Sequence, residues 1–180
     1  MTEREYTTVD ERQSYVQRSG QEWENKVMNF VNEKLKEMGS ELWNKLAIPV
    51  GKPDSKQKIW GDIDLIVIDK QENPIAVISC KTSLHGRFSE TLFYAVVLKD
   101  LVEELKVVFA TPDKGRQQKK GKWQSEWGSE EKPTKDRLLG SHYLDGIYIL
   151  NPNTKLGGRI KHLEELPKDL IKWHESMNRG

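Results

Sequence analysis

The chain is 180 residues long, enough for one well-buried domain and short for two ordinary ones, so residues 1–180 are expected to form a single unit. Charged residues make up 32% and the hydrophobic class 36%, and 29 Lys and Arg against 28 Asp and Glu leave a net charge of +1. A field drawing the whole molecule to a polyanion is thereby excluded, and any such site must be a local patch. The single cysteine, Cys80, excludes an internal disulfide framework and a cysteine-built zinc site, and suits a reducing compartment.

Residues 1–19 are polar and weakly periodic, with Tyr6, Val9, Tyr15 and Val16, and read as a frayed helix or as an arm that docks on a partner. From Gly20 the pattern sharpens. Trp23, Val27, Phe30, Val31, Leu35 and Met38 recur at helical spacing until Gly39, a residue suited to ending a helix. The short apolar run 46–50 reads as a possible strand before the turn-rich 51–55. Two strand-like runs, 59–69 and 75–81, flank Lys70-Gln71-Glu72-Asn73-Pro74 and predict a β-hairpin with apolar residues on both faces, hence a sheet covered on both sides.

Beyond Lys81, the residues Phe88, Leu92, Phe93, Val96, Val97, Leu101 and Leu105 predict a second helix, and 106–111 a buried strand ended by Pro112. Strand, helix and strand in that order imply a crossover and a mixed sheet, an α/β fold. Residues 114–137 show no periodicity, a length that is usually functional or disordered. A further strand is expected at 147–150. A last helix over 163–177 turns Leu166, Leu170 and Trp173 inward and is broken early by Pro167. No apolar run approaches a membrane span and the first residues carry no signal-peptide pattern, so a soluble, cytoplasmic protein without membrane contact is expected.

The chemically informative feature is Asp62 and Asp64 opening a strand whose hairpin partner ends in Ser79-Cys80-Lys81. Side chains alternate along a strand, so Ser79 and Lys81 share one face while Cys80 points to the other as a core thiol. If the register sets that face beside Asp64, a carboxylate, a hydroxyl and an ammonium meet at one end of an apolar hairpin. Unpaired charge there is costly, and a hard cation with phosphate oxygens would satisfy all three groups, which describes Mg²⁺. Such an ion polarises a phosphodiester and activates water, and Lys81 would position or deprotonate that water. The bland alternative is that the aspartates and Lys81 are ordinary charges at strand ends.

This arrangement resembles the PD-(D/E)XK nuclease superfamily. The resemblance is carried by Gly61-Asp62-Ile63-Asp64-Leu65-Ile66-Val67 and Ile75-Ala76-Val77-Ile78-Ser79-Cys80-Lys81 within a helix, hairpin, helix and strand over 20–111. It implies a restriction-endonuclease-like core in which a central mixed β-sheet is flanked by helices. Asp64 is the implied metal ligand, Asp62 a weaker candidate, and Lys81 the catalytic lysine. Ser79 departs from the pattern, where an acid is usual. Restriction enzymes with a Ser-x-Lys version recruit a Glu from the following helix, which points to Glu90. An acid on the first helix is also common, which points to Glu24 with Glu22 behind it. Lys81-Thr82-Ser83-Leu84 with the following Arg87 is similar to a segment of several type II restriction endonucleases.

The implied function is a Mg²⁺-dependent endodeoxyribonuclease cutting duplex DNA at a short specific sequence. Cutting both strands suggests a homodimer, and no small-molecule cofactor is needed. The alternatives are a structure-specific nuclease, such as a junction resolvase or repair nickase, and a catalytically inactive DNA-binding module of the same fold. Arg87 and His85 are candidate phosphate contacts. In a DNA-contacting region over 112–142, Lys114, Arg116, Gln117, Lys119, Lys120, Lys122 and Trp123 interleave basic, amide and indole groups. Cations there would meet phosphates, Gln an adenine edge, and an indole of Trp123 or Trp127 a base. Residues 143–180 complete the domain with a strand and helix.

Overall fold

The β-branched runs in the middle of the chain form the interior of a six-stranded mixed sheet. The computed structural model describes residues 9–46, 63–84, 87–117 and 123–179. Its strands are β1 (Trp43–Leu46), β2 (Leu65–Ile68), β3 (Pro74–Cys80), β4 (Lys106–Thr111), β7 (Gly146–Ile149) and β8 (Ile160–His162). They lie in the order β1-β2-β3-β4-β7-β8. β1, β2 and β3 are antiparallel neighbours, and β3, β4, β7 and β8 run parallel. A separate two-stranded ribbon joins β5 (Arg116–Gln117) to β6 (Trp123–Gln124).

Alternation along each strand divides the core into two layers. Leu65, Val67, Ala76, Ile78, Cys80, Val108 and Ala110 pack with the stripe Trp23, Val27, Val31 and Leu35 of α1 (Val9–Glu37) and with Leu166 and Leu170 of α4 (Leu166–Met177). Ile66, Ile68, Val77, Val107, Phe109, Ile147 and Ile149 pack with Phe88, Leu92, Ala95 and Leu98 of α2 (Phe88–Leu101). The nine-residue α3 (Lys135–Tyr143) closes on the same side. There a Cβ on Gly140 would lie 2.7 Å from Ile147 Cδ1 and 3.0 Å from Phe88 Cζ. Only a residue without a side chain allows that approach.

Several expectations need correction. Of the two alternatives for the first residues, the helix holds over 9–19, which form the first turns of α1, and this helix runs through Gly20, where the sharper pattern was expected to begin, as one 29-residue element. One glycine costs a long helix only about 1 kcal/mol. The helix ends as expected at Gly39, with φ of 68° and the Ser40 N–H donating to the Leu35 carbonyl at 2.9 Å. The first strand lies at Trp43–Leu46, earlier than the run 46–50, whose residues 47–50 lie outside the described set. The segment 114–137 is not structureless: it holds the ribbon and the start of α3, whose Thr134 cap accepts from the Arg137 N–H at 3.2 Å. Pro167 does not break the last helix. It sits in the first turn of α4, where no intrahelical donor is lost, after a short 3₁₀ turn at Leu163–Glu165. On α2, Phe93 and Val96 face outward although the apolar pattern counted them inward.

Candidate active site

The hairpin that builds the site is set by its turn. Asp69 accepts from the Gln71 and Asn73 N–H groups at 2.8 Å each and from Asn73 Nδ2 at 2.9 Å. Glu72 takes the left-handed backbone with φ of 63°. The resulting register pairs Leu65 with Ile78 and Ile66 with Val77. One step further, Asp64 comes level with the end of β3.

There the Asp64 carboxylate accepts the Cys80 main-chain N–H at 2.6 Å, and the Lys81 ammonium lies 3.1 Å from Oδ2 and 3.3 Å from Oδ1. Both side chains are only 9% exposed. Two opposite charges so far from water are stabilised only as a well-made pair, so each holds the other in place. The Lys81 N–H in turn donates to the Ala110 carbonyl at 3.1 Å, tying the end of β3 to the neighbouring parallel strand β4. The sequence reading of a carboxylate and an ammonium converging at this end of the hairpin thus has its geometric counterpart.

Ser79, at the position where an acid is usual, does not join them. Its hydroxyl lies 3.0 Å from that of Thr91 and both are buried, so the pair fastens the first turn of α2 to β3. Glu90 is the preceding residue of that turn and is exposed. Glu24 lies half-buried on α1, one residue after Trp23. The Cys80 thiol is buried in the layer that α1 covers. Burial pushes its pKa well up, and the negative charges of Asp64 and then Glu24 push it further, with Lys81 opposing. Cys80 is therefore expected to resist iodoacetamide in the folded protein at pH 8 and to react fully in guanidinium. Stoichiometric labelling of the native chain would contradict the closed packing.

Among the described residues no three His, Cys, Asp or Glu side chains gather into a ready-made metal cage. The hard donor at this end of the sheet is the Asp64 carboxylate, whose two oxygens lie 3.1 and 3.3 Å from the Lys81 ammonium. Hard oxygen donors few in number suit a cation such as Mg²⁺, which keeps water and substrate phosphate in its remaining positions.

The remaining candidates divide. Asp62, His85, Lys119, Lys120 and Lys122 lie outside the described residues. Arg87 is exposed beside the N-terminus of α2, and Lys114 and Arg116 are exposed on the ribbon, with Arg116 3.8 Å from Asp136. Gln117 belongs to β5. Trp123 is 41% exposed and its Nε1–H donates to the Lys114 carbonyl at 3.0 Å. Trp127 is no base-stacking group. It is fully buried, edge-on to Phe88 and Phe109 with centroids 5.3 and 5.8 Å away.

The sequence reading missed the hub below the ribbon. Asp113, fully buried with φ of 49°, accepts Ser125 Oγ at 2.6 Å, the Glu126 N–H at 3.1 Å and the Thr154 hydroxyl, while its carbonyl accepts Asn151 Nδ2 at 3.0 Å. The visible signal was an aspartate directly after a buried strand and Pro112; its partners lie 12 to 41 residues away.

Comparison with known proteins now bears on this site. A protein of Methanocaldococcus jannaschii named as the type II restriction enzyme MjaVIP is 33% identical over 115 residues. The match takes in 61% of this chain and 48% of that protein, so the chain spans about half the length of the curated relative. The crystal structure of the specific restriction endonuclease AgeI in complex with DNA has the same fold, with a TM-score of 0.69 and 16% identity over 94% of this chain and 72% of that one. No helix among the described residues is long and apolar enough to cross a membrane. The model of the BsaWI type 2 restriction endonuclease family matches residues 28–169, a span that begins past Glu24 and contains Asp64, Lys81 and the sheet that joins them. A match over most of the chain, on this fold, means that the protein belongs to the BsaWI type 2 restriction endonuclease family.

Proposed function

We propose that the protein is a Mg²⁺-dependent endodeoxyribonuclease that hydrolyses both strands of duplex DNA at a short specific sequence. The observation that carries this reading is the meeting of Asp64 and Lys81, 3.1 Å apart and nearly buried, at the end of the hairpin of a restriction-endonuclease-family chain. Asp64 and Glu24 would hold the ion, with Glu90 and Asp62 as further candidate ligands. When bound, the ion supplies Lewis acidity toward the phosphodiester and a lowered pKa for an attacking water.

The protein's own groups do the rest. Lys81 donates to Asp64, and an ammonium has no lone pair with which to take a proton. Its part is therefore to orient the attacking water and to stabilise charge growing on the phosphoryl oxygens. The Cys80 N–H holds the Asp64 carboxylate in one orientation, so little reorganisation is needed as that charge develops.

Lys81 and the ribbon lie at one end of the sheet, since β3 and β4 are parallel and the ribbon leaves from the end of β4. Lys114 and Arg116 would meet phosphates there, with Trp123 toward bases and Arg87 toward the scissile strand, while Gln117, Lys119, Lys120, Lys122 and His85 are further candidate DNA contacts by residue type alone. Cutting of both strands calls for two such centres related by a two-fold axis, hence a homodimer.

Incubation of the protein with plasmid of known sequence tests the proposal. Discrete fragments are expected with Mg²⁺ and none with excess EDTA. Cutting confined to branched DNA would replace the reading by a structure-specific nuclease. Binding without any cutting would replace it by an inactive module, the reading that Ser79 in place of an acid favours.

A further inference from the structure

The Ala110 carbonyl at the end of β4 accepts two hydrogen bonds, one from the Lys81 main-chain N–H at 3.1 Å and one from the Trp23 indole Nε1–H at 3.0 Å. Both lone pairs of that oxygen are thus used, and both donors are buried. The indole comes from α1, an element 87 residues away along the chain. The rest of the α1 stripe, Val27, Val31 and Leu35, makes only apolar contacts, which are non-directional and tolerate small slides along the helix axis. The Trp23 bond is different in kind: it specifies where along the sheet this turn of α1 sits.

The next residue is Glu24. In a helix it stands one rise of about 1.5 Å further along and about a quarter-turn around, so the placement of Trp23 carries over to Glu24. Glu24 is half-buried and directly follows the residue tied to the Ala110 carbonyl, which also holds the Lys81 amide next to Cys80, whose own N–H holds Asp64. A chain of directional contacts therefore runs from the carboxylate of Asp64 through Cys80 and Lys81 to Ala110 and Trp23, and ends beside Glu24.

We propose that Trp23 is a positioning residue for the cleavage centre, whose indole N–H, sharing the Ala110 carbonyl with the Lys81 amide, holds Glu24 in place to act with Asp64. This rests on the nuclease reading above. Centres of this kind need their groups within about 0.5 Å of the productive geometry, and an error of about 1 Å costs on the order of 100-fold in rate. A bulky core residue alone would need no N–H. Phenylalanine or leucine would serve.

The test removes the N–H and keeps the ring. In Trp23→Phe, and in a second variant carrying benzothienylalanine at position 23, an isostere with sulfur in place of N–H, three results are expected. The kcat for duplex cleavage falls roughly 10- to 100-fold with KM for DNA within about twofold. Calorimetric titration of Mn²⁺ into the DNA-free protein shows affinity weakened about tenfold. Combining Trp23→Phe with Glu24→Gln lowers kcat no further than Glu24→Gln alone, because the two act as one unit.

Unchanged kcat in the benzothienylalanine variant overturns the proposal, as do multiplicative losses in the double variant or a Mn²⁺ affinity indifferent to position 23. Should the wild-type protein cut no DNA while its Mn²⁺ affinity still responds to Trp23→Phe, the nuclease reading falls and the link from Trp23 to the acids stands.

Discussion

Asp64→Asn is expected to lower single-turnover cleavage of a labelled duplex by at least about 10³-fold while leaving duplex affinity within about tenfold of wild type. The amide has the size of the carboxylate and still accepts the Cys80 N–H, so the end of β3 keeps its geometry. What it loses is the charge that pairs with Lys81 and the hard anionic donor a cation needs. Lys81→Met keeps an apolar stem of similar length and removes the ammonium, with an expected rate loss of about 10²- to 10³-fold.

Stability separates the two roles of this pair. Removing one partner from a nearly buried ion pair leaves the other uncompensated and costs about 3–5 kcal/mol, an upper bound for Asn because its oxygen still accepts a hydrogen bond. The double variant Asp64→Asn with Lys81→Met carries no orphaned charge. It is expected to recover part of that stability in chemical denaturation while recovering no cleavage. Cutting by either single variant at a rate within threefold of wild type would remove both residues from the chemistry.

The second large effect lies outside the site. Asp113→Ala is expected to lower stability by roughly 3–5 kcal/mol, a fall in Tm of about 10 °C. Three donors, from Ser125, Glu126 and Thr154, lose their acceptor in a fully buried place, and alanine must also adopt the left-handed backbone at φ of 49°. Asp113→Asn should cost less, because asparagine tolerates that backbone and keeps an oxygen for the Glu126 N–H. The hub closes the base of the ribbon at the end of β4, a few residues past the Ala110 carbonyl that holds Lys81, so Asp113→Ala should also slow cleavage. A Tm within about 2 °C of wild type would show that other contacts hold these segments.

The hairpin and its charged end could be read without coordinates because both rest on a short-range rule. Period-two alternation assigns Asp64 to one face and Lys81 to a definite end of the next strand, and a five-residue connection leaves few registers between them. The same holds for α1, whose buried stripe from Trp23 to Leu35 repeats every four residues, and for β4, found over 106–111 as expected. Ser79 was legible only as a departure from a pattern. That its hydroxyl would meet Thr91 depended on how α2 lies against the sheet.

What composition and periodicity decide is therefore the set of elements, their apolar faces and one pair of opposite charges at a strand end. The fate of three indole N–H-bearing rings lay beyond them: Trp23 donates to a strand carbonyl, Trp123 is 41% exposed on the ribbon and Trp127 fills the core. The same is true of the ribbon, of β8 and of the Asp113 hub. Alternation and helical spacing act over a few residues and leave their mark in the local sequence. A hydrogen bond across 41 or 87 residues leaves none, because its partners become neighbours only when the sheet orders its strands.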